Sequence, residues 1–437
     1  MNIILITIDA LRADFINYKE ENKICPNICK LAKNSLFFNK AFSTGPKTPL
    51  SFPAILYSRF SNMQNNNHVP KNVPTVAEVF QKEDFFTIGI EAGNPFLSSF
   101  FNYDRGFNIF IDYIFKSRQK LVNMNEKKLW KIKKPHIFES ILLYFLNRSP
   151  HIEAHNVLYD AVKHIKNNRQ KDLFVWLHFM DAHYPFVPKK KLLKLKTYYD
   201  YSFLYYWYDL YKQKRLYSNN MINKNINFNI KKDFFNTLKT FYSCCIQYID
   251  FIFGKLLFFL KKYHIYDESI IILTSDHGEC LGEYGKIGHP PNELCNDLIH
   301  IPLLIKKNHQ KSMELIQNSV SHIDLFPSIM KDIGINYPKE FCGKNILFNN
   351  IRKPIYSNGI DKNKQIVSCI YNDWKYIWYE NSSVEKLYNL EIDPNERTNY
   401  ALELKNNSKE LLNIYDKMKY FMKEFLVWTS YEKYKFI

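Results

Sequence analysis

Ser269-Ile270-Ile271-Ile272-Leu273-Thr274 runs directly into Ser275-Asp276-His277-Gly278-Glu279. A short apolar stretch without polar alternation predicts a strand covered on both faces, the kind found in parallel sheets. Its end sets a carboxylate and an imidazole side by side on a rigid edge, and those are ligands that a divalent cation takes. Three further runs have the same character, Ile3 to Ile8, Phe85 to Ile90 and Leu173 to Phe179. Helical patterns fall between them, at Pro26 to Ala32, Glu153 to Ile165 and Phe234 to Leu260. Strands alternating with helices predict an α/β fold, a doubly wound and mostly parallel sheet flanked by helices, with functional groups at the C-terminal ends of the strands. Asp9, Asp181 and Asp276 all hold that position.

From about Pro354 the pattern changes to short strands, Gln365 to Tyr371 and Lys375 to Tyr379, followed by a helix near Leu402 to Phe425. This predicts a smaller α+β C-terminal domain, with a catalytic domain over residues 1–350 and the second unit over 351–437. Within the first, residues 189–232 turn to Lys, Tyr and Asn, including Tyr198-Tyr199-Asp200-Tyr201 and Tyr205-Tyr206-Trp207-Tyr208. They read as a basic, aromatic inserted lid that could hold a sugar or a lipid headgroup.

The chain has 437 residues, of which 46% are hydrophobic and 16% aromatic, so it buries a large core and is not a disordered chain. Its charge of +17, from 60 Lys plus Arg against 43 Asp plus Glu, suits an anionic ester, a glycan or a lipid headgroup, and allows peripheral contact with a membrane. No nucleic-acid-binding module accompanies that charge. The opening Met1-Asn2-Ile3-Ile4-Leu5-Ile6-Thr7-Ile8-Asp9 is too short to span a membrane and lacks the marks of a signal peptide, so it reads as a first strand. The eight Cys are scattered without paired C-x-x-C spacing, and a cytoplasmic protein with reduced thiols is the expectation.

Asp9 ends the first strand as Asp276 ends another. Two carboxylates and the His277 imidazole converging on one edge call for a cation, and the set suits Mg, Mn, Ca or Zn. Thr44-Gly45-Pro46-Lys47-Thr48-Pro49-Leu50-Ser51-Phe52-Pro53 then supplies a turn leading into an apolar helix. A helix N-terminus favours an anion, and a hydroxyl touching a divalent metal is acidified, which marks Thr48 as metal-bound nucleophile. Asn94, just past the Phe85 to Ile90 strand, could donate its amide to an ester oxygen. Lys47 and Lys286 could neutralise the ester's charge.

Four segments resemble the sulfatase family of the alkaline phosphatase superfamily. They are Ile6-Thr7-Ile8-Asp9-Ala10-Leu11-Arg12-Ala13-Asp14, then Cys25-Pro26-Asn27-Ile28-Cys29-Lys30-Leu31-Ala32, the Ser275 to Glu279 block, and Leu387-Tyr388-Asn389-Leu390-Glu391-Ile392-Asp393-Pro394-Asn395-Glu396. They run in the family's order from residue 3 to about residue 400. The resemblance implies a doubly wound α/β domain with a smaller C-terminal domain, and a metal-bound nucleophile attacking a sulfate or phosphate ester. It puts Asp9, Asp276 and His277 on metal-ligand positions. It puts His183 and His289 where the family binds the ester oxygens or a second metal. Asp181, at its own strand end, could be a second-metal ligand, and His178 faces the core or stands behind the ligands.

Two departures redirect the chemistry. Sulfatases carry C-x-P-S-R, whose Cys or Ser becomes formylglycine; with Ser51 on the motif's Ser, Thr48 takes that position and Phe52 takes the Arg. Thr cannot become formylglycine, which points instead to the phosphoethanolamine and phosphoglycerol transferases and nucleotide phosphodiesterases of the superfamily. Ala10 stands where many sulfatases have a second Asp. The expected function is therefore a metal-dependent sulfatase-like hydrolase or transferase acting on phosphate esters through Thr48. The alternatives are a sulfuric ester hydrolase lacking formylglycine and a catalytically silent binder of anionic glycans.

Overall fold

The computed structural model describes residues 1–18, 22–64, 66–114, 151–189, 191–192, 228–345, 348, 351–403 and 409–435. Strands β1 (Asn2–Ile8), β2 (Leu36–Phe42), β3 (Phe86–Glu91), β4 (Ile109–Asp112), β5 (Leu173–Phe179) and β6 (Ser269–Ser275) belong to the main sheet. After a small hairpin of β7 (Cys280–Leu281) and β8 (Ile287–Gly288), the sheet is completed by β9 (His300–Lys306), β10 (Glu314–Ile316) and β11 (Val320–Ser321). Its order is β10-β2-β9-β6-β1-β5-β3-β4, with β11 also paired to β2. Only β9 runs antiparallel, wedged between β2 and β6.

The central strands are apolar for a physical reason. Every residue of β5 and β6 is buried, because helices cover both faces. Along β1 the side chains alternate: Ile4, Ile6 and Ile8 enter one core with the helices Pro26–Ala32, Ala154–Asn168 and Phe228–Lys262. Ile3 and Leu5 enter the other, with the helices Thr48–Tyr57, Val76–Lys82 and Leu325–Asp332. Each fully buried Ile, Leu or Phe contributes roughly 1.5–3 kcal/mol. The doubly wound, mostly parallel architecture is thus present as expected.

The long helix Phe228–Lys262 is, over 235–262, long and apolar enough to cross a membrane by length and composition. Here 61% of its most apolar window is buried, and Leu238, Phe241, Ile249, Phe253 and Leu256 pack in the first core.

Strands β12 (Ile355–Asp361), β13 (Lys364–Tyr371), β14 (Trp374–Tyr379) and β15 (Glu385–Asn389) form a separate antiparallel sheet. Its Val367, Cys369, Tyr376 and Leu387 pack on Leu411, Met418, Met422 and Phe425 of the helix Lys409–Lys435. The C-terminal helix therefore starts later than the expected Leu402, where a 3-10 turn, Tyr400–Leu402, stands instead. This sheet grips the loop before Thr48: Ser357 Oγ donates to the Ser43 carbonyl at 2.6 Å and Asn358 N to the Thr44 carbonyl at 2.8 Å. Of the expected insertion at 189–232, the residues beyond Leu192 lie outside those described until Phe228, where the long helix has begun.

Candidate active site

Register alone brings the first two carboxylates together. In β1 and β6 Ile8 pairs with Ser275, so Asp9 and Asp276 follow as neighbours at the C-terminal edge. Both are fully buried, as is His277. One ligand atom from each of Asp9, Asp276 and His277 lies within 4.8 Å of the others. His277 Nε2 is 3.6 Å from Asp9 Oδ1 and 3.5 Å from Asp276 Oδ2.

These three atoms, Asp9 Oδ1, Asp276 Oδ2 and His277 Nε2, are buried and make no hydrogen bond among the described residues. The backs of the same side chains are occupied. Asp276 Oδ1 accepts from the backbone N–H of Ala10 at 3.2 Å, and His277 Nδ1 lies 2.7 Å from the Gly278 carbonyl, which makes Nδ1 the protonated nitrogen and leaves a lone pair on Nε2. Lone pairs converging in a water-excluded edge repel, and a divalent cation resolves that repulsion. The residues fit such an ion.

The electrostatics follow. Burial drives Asp276 up to about 6, assisted by the charge of Asp9. Burial also opposes Asp9, but His183, the His178 contact and His277 outweigh it and hold Asp9 well below the usual carboxylate range. Burial disfavours charge on His277, yet Asp276 and Asp9 overcome it and raise its pKa. The cluster thus draws positive charge from whatever source it can.

The surrounding backbone is built to hold these groups. Ala10 sits at φ +61°, a left-handed conformation rare for a residue with a side chain, between its N–H bond to Asp276 and a 2.6 Å bond from the Tyr242 hydroxyl to its carbonyl. Gly278 must be glycine, since a Cβ there would lie 2.0 Å from the Asp297 carbonyl oxygen. Behind Asp9, Trp176 Nε1 donates to Thr7 Oγ1 at 3.0 Å, Thr7 Oγ1 meets His178 Nδ1 at 2.9 Å, and His178 Nε2 lies 3.4 Å from Asp9 Oδ2. His178 thus stands behind Asp9.

Thr48 opens the helix Thr48–Tyr57 and is buried. The turn before it is cinched by Ser43 Oγ and Ser51 Oγ, which both donate to the Gly45 carbonyl, at 2.8 and 2.7 Å. Asn94 ties Thr48 to the cluster. Its Nδ2 donates to Asp9 Oδ2 at 3.0 Å and reaches Thr48 Oγ1 at 3.4 Å, while its Oδ1 accepts from Phe96 N. Asn94 therefore belongs to the site, but its amide serves the carboxylate and the hydroxyl. Phe52, on the position of the motif's Arg, is a core side chain whose ring packs edge-on to His178 at 5.2 Å.

His183 and His289 both join the edge, their rings 4.9 Å apart, with His289 4.6 Å from the His277 ring. Burial depresses His183 to about 4, and His183 Nδ1 has no hydrogen-bond partner among the described residues. His289 Nδ1 lies 3.2 Å from both carboxylate oxygens of Glu279, which leaves Nε2 for other work. Glu279 is buried, burial pushes it up to about 8, and no role was expected of it. Its signal was in plain view, as the last residue of Ser275 to Glu279.

Two expectations take different partners. The Lys286 ammonium is bound to Glu293, which neutralises it. Asp181 Oδ2 accepts the Ala154 N–H at 2.9 Å, at the start of the helix Ala154–Asn168, and stays outside the cluster. Lys47 caps the other helix with its backbone; its ammonium has no carboxylate partner among the described residues, and burial lowers its pKa.

Residues 1–335 match the family described as Sulfatase. Arylsulfatase K of Canis lupus familiaris is 28% identical over 188 residues, which is 39% of this chain and 35% of that protein. The multifunctional alkaline phosphatase superfamily protein PehA of Trinickia caryophylli is 25% identical over 191 residues, 38% of this chain and 36% of that protein. The matched stretch spans about a third of the length of these relatives. A structure solved in complex with its substrate D-glucosamine-2-N,6-O-disulfate superposes with a TM-score of 0.70 at 16% identity, covering 99% of this chain and 98% of that one. The phosphonate monoester hydrolase of Agrobacterium radiobacter does so with a TM-score of 0.68 at 15% identity, covering 97% and 95%. At such identities the likeness establishes a shared fold.

Proposed function

The chain belongs to the sulfatase family, and we propose that it is a metal-dependent ester hydrolase or transferase that works on phosphate esters through Thr48. The observation that carries this reading is the Asn94 amide, which links the Thr48 hydroxyl to Asp9 at the edge of the cation-ready cluster. Asp9, Asp276 and His277 would hold the cation, with Thr48 beside them. A divalent ion there supplies positive charge that acidifies a neighbouring hydroxyl and screens the ester's negative oxygens.

In the proposed reaction Thr48 Oγ attacks phosphorus, and as the new O–P bond forms its proton passes to the imidazole pair of His183 and His289, which burial keeps neutral. The bond from phosphorus to the leaving alcohol breaks, and that oxygen takes a proton from an imidazole. His289, oriented through Nδ1 by Glu279, is placed for this, and His183 faces the same space. Water or an acceptor hydroxyl then attacks phosphorus, and Thr48 leaves as the hydroxyl. Asn94 orients the nucleophile and restrains Asp9, and the buried edge excludes competing solvent.

The substrate class is an anionic ester, either a glycan or a lipid headgroup, and relatives and neighbours named for sulfated substrates support the second reading, a sulfate ester. The eight free cysteines suit the proposed cytoplasmic setting. The test is a panel of aryl sulfate, phosphomonoester, phosphodiester and phosphonate monoester on metal-reconstituted protein, with mass spectrometry of the peptide carrying Thr48. Turnover of the phosphorus esters with a phosphorylated Thr48 is expected. Turnover confined to aryl sulfate with Thr48 unmodified favours the second reading.

A further inference from the structure

The helices Pro26–Ala32, Ala154–Asn168 and Phe228–Lys262 form one layer over the first core. On the longest, Phe251 and Phe258 are 54% and 68% exposed. Lys255 and Lys262 share their stripe at helical spacing, and both are exposed. On the neighbouring helix Tyr159 is 71% exposed. The two helices run side by side: His155 Nδ1 is 2.9 Å from the Tyr248 hydroxyl near one end, and Lys166 and Arg169 stand 5.8 and 5.7 Å from the Tyr263 ring near the other.

Among the described side chains these three helices expose no carboxylate. Asp160 is buried against the Tyr113 hydroxyl, and Asp250 is buried against Asn27 and the Ile28 N–H. The described side chains of the layer therefore combine large apolar rings in water with exposed lysines and no exposed carboxylate. Lysine stems lie along the rings, with Lys255 Nζ 4.6 Å from the Phe251 centroid. Phenyl rings flanked by ammonium groups on a helical layer suit the boundary of an anionic bilayer, where rings enter below the headgroups and lysines stay at the phosphates. A nucleic acid duplex presents phosphates but no apolar phase for Phe251 and Phe258.

We propose that this helical layer docks the protein onto an anionic lipid surface. The chain's charge of +17 draws it there, and the two phenylalanines hold it. The stripe occupies the later part of the helix, away from Tyr242, whose hydroxyl touches the Ala10 carbonyl at the catalytic edge. Docking is thus separate from the esterase chemistry and leaves that edge accessible.

The test is sedimentation of the full chain with vesicles of phosphatidylcholine alone or mixed with phosphatidylserine, at low and high salt. Binding is expected only with phosphatidylserine and should fall as salt rises. Phe251→Ser with Phe258→Ser, and separately Lys255→Glu with Lys262→Glu, should each weaken it roughly tenfold or more while melting temperature and ester turnover stay unchanged. Equal binding to both vesicle types, or vesicle binding unaffected by either double variant, overturns the proposal. So does loss of vesicle binding to wild-type protein with tight retention on duplex DNA, or with a dimer that the Phe251→Ser, Phe258→Ser variant dissolves.

Discussion

Asp9 and Arg12 belong to one turn and both are buried, yet the charged clusters they anchor are of opposite kinds. The Arg12 guanidinium meets Asp14 at 2.8 Å, Glu283 at 3.0 Å and Asp297 at 2.7 Å, and donates to the Glu279 carbonyl at 3.1 Å. Each carboxylate there has the guanidinium as partner, and Glu283, against the pull of burial, is held low by Arg12, while burial raises Asp297 to about 6. Around Asp9 the inward atoms face one another with no hydrogen-bond partner among the described residues. A completed cluster is explained by folding alone, whereas an incomplete one is costly to the fold and points to a charge supplied from outside the chain.

The sharpest way to break this contrast is at the hydroxyl beside the incomplete cluster. Thr48→Ala should lower turnover on the order of 10⁴-fold or more while leaving metal content unchanged, since it removes the attacking atom. Unchanged turnover with metal in place would sink the proposed mechanism. Arg12→Met should do the reverse. It strands Glu283 and Asp297 beside a hydrophobic side chain, and chemical denaturation should record a loss of ~3–5 kcal/mol.

Glu279→Gln sits between the clusters in its effect. The fold survives, because a neutral amide suits burial, but His289 loses the carboxyl group that orients it and turnover should drop ~10–100-fold. The drop should be larger for poor leaving groups than for aryl ones, and an equal drop across both would assign Glu279 a purely structural role. Asp276→Asn offers a test of opposite sign. In metal-free protein it removes one of two facing carboxylates, one pushed up to about 6, so stability at neutral pH should rise by roughly 1–2 kcal/mol while metal-dependent turnover disappears.

Asp181 is an intermediate case, a buried carboxylate with the Ala154 N–H as its partner. Burial, then repulsion from Glu153, raises it from 3.8 to about 7. Between those values the unfolded chain gives up the proton that the folded protein keeps. Its contribution to stability therefore falls as pH rises through the window, by at most ~1.4 kcal/mol per pH unit, and levels off above it. Asp181→Asn should flatten that part of the melting-temperature profile, and an unchanged slope would mean that Asp181 ionises normally.

Much of the centre was readable along the chain because strands in a covered sheet are local apolar runs. Asp9 and Asp276 stand immediately after two of them, so their place at one edge follows from two short stretches. Strands β2 and β9 were not singled out. The first is interrupted by a shift in register between Phe38 and Ala41, and the second runs against its neighbours. Lys286 was expected to neutralise the ester's charge, but a carboxylate seven residues on captured it.

By itself the sequence determined the doubly wound sheet, the strand-end carboxylates and the hydroxyl opening an apolar helix, since each depends on neighbouring residues and their periodicity. Only the tertiary structure decided that Ile8 registers with Ser275, that Asn94 spans Asp9 and Thr48, that Glu279 turns onto His289, and that the charges around Arg12 close on themselves. These are encounters between side chains distant along the chain. Their outcome rests on sheet register, rotamer and the cost of leaving a buried polar atom alone, and no short stretch of residues carries that information.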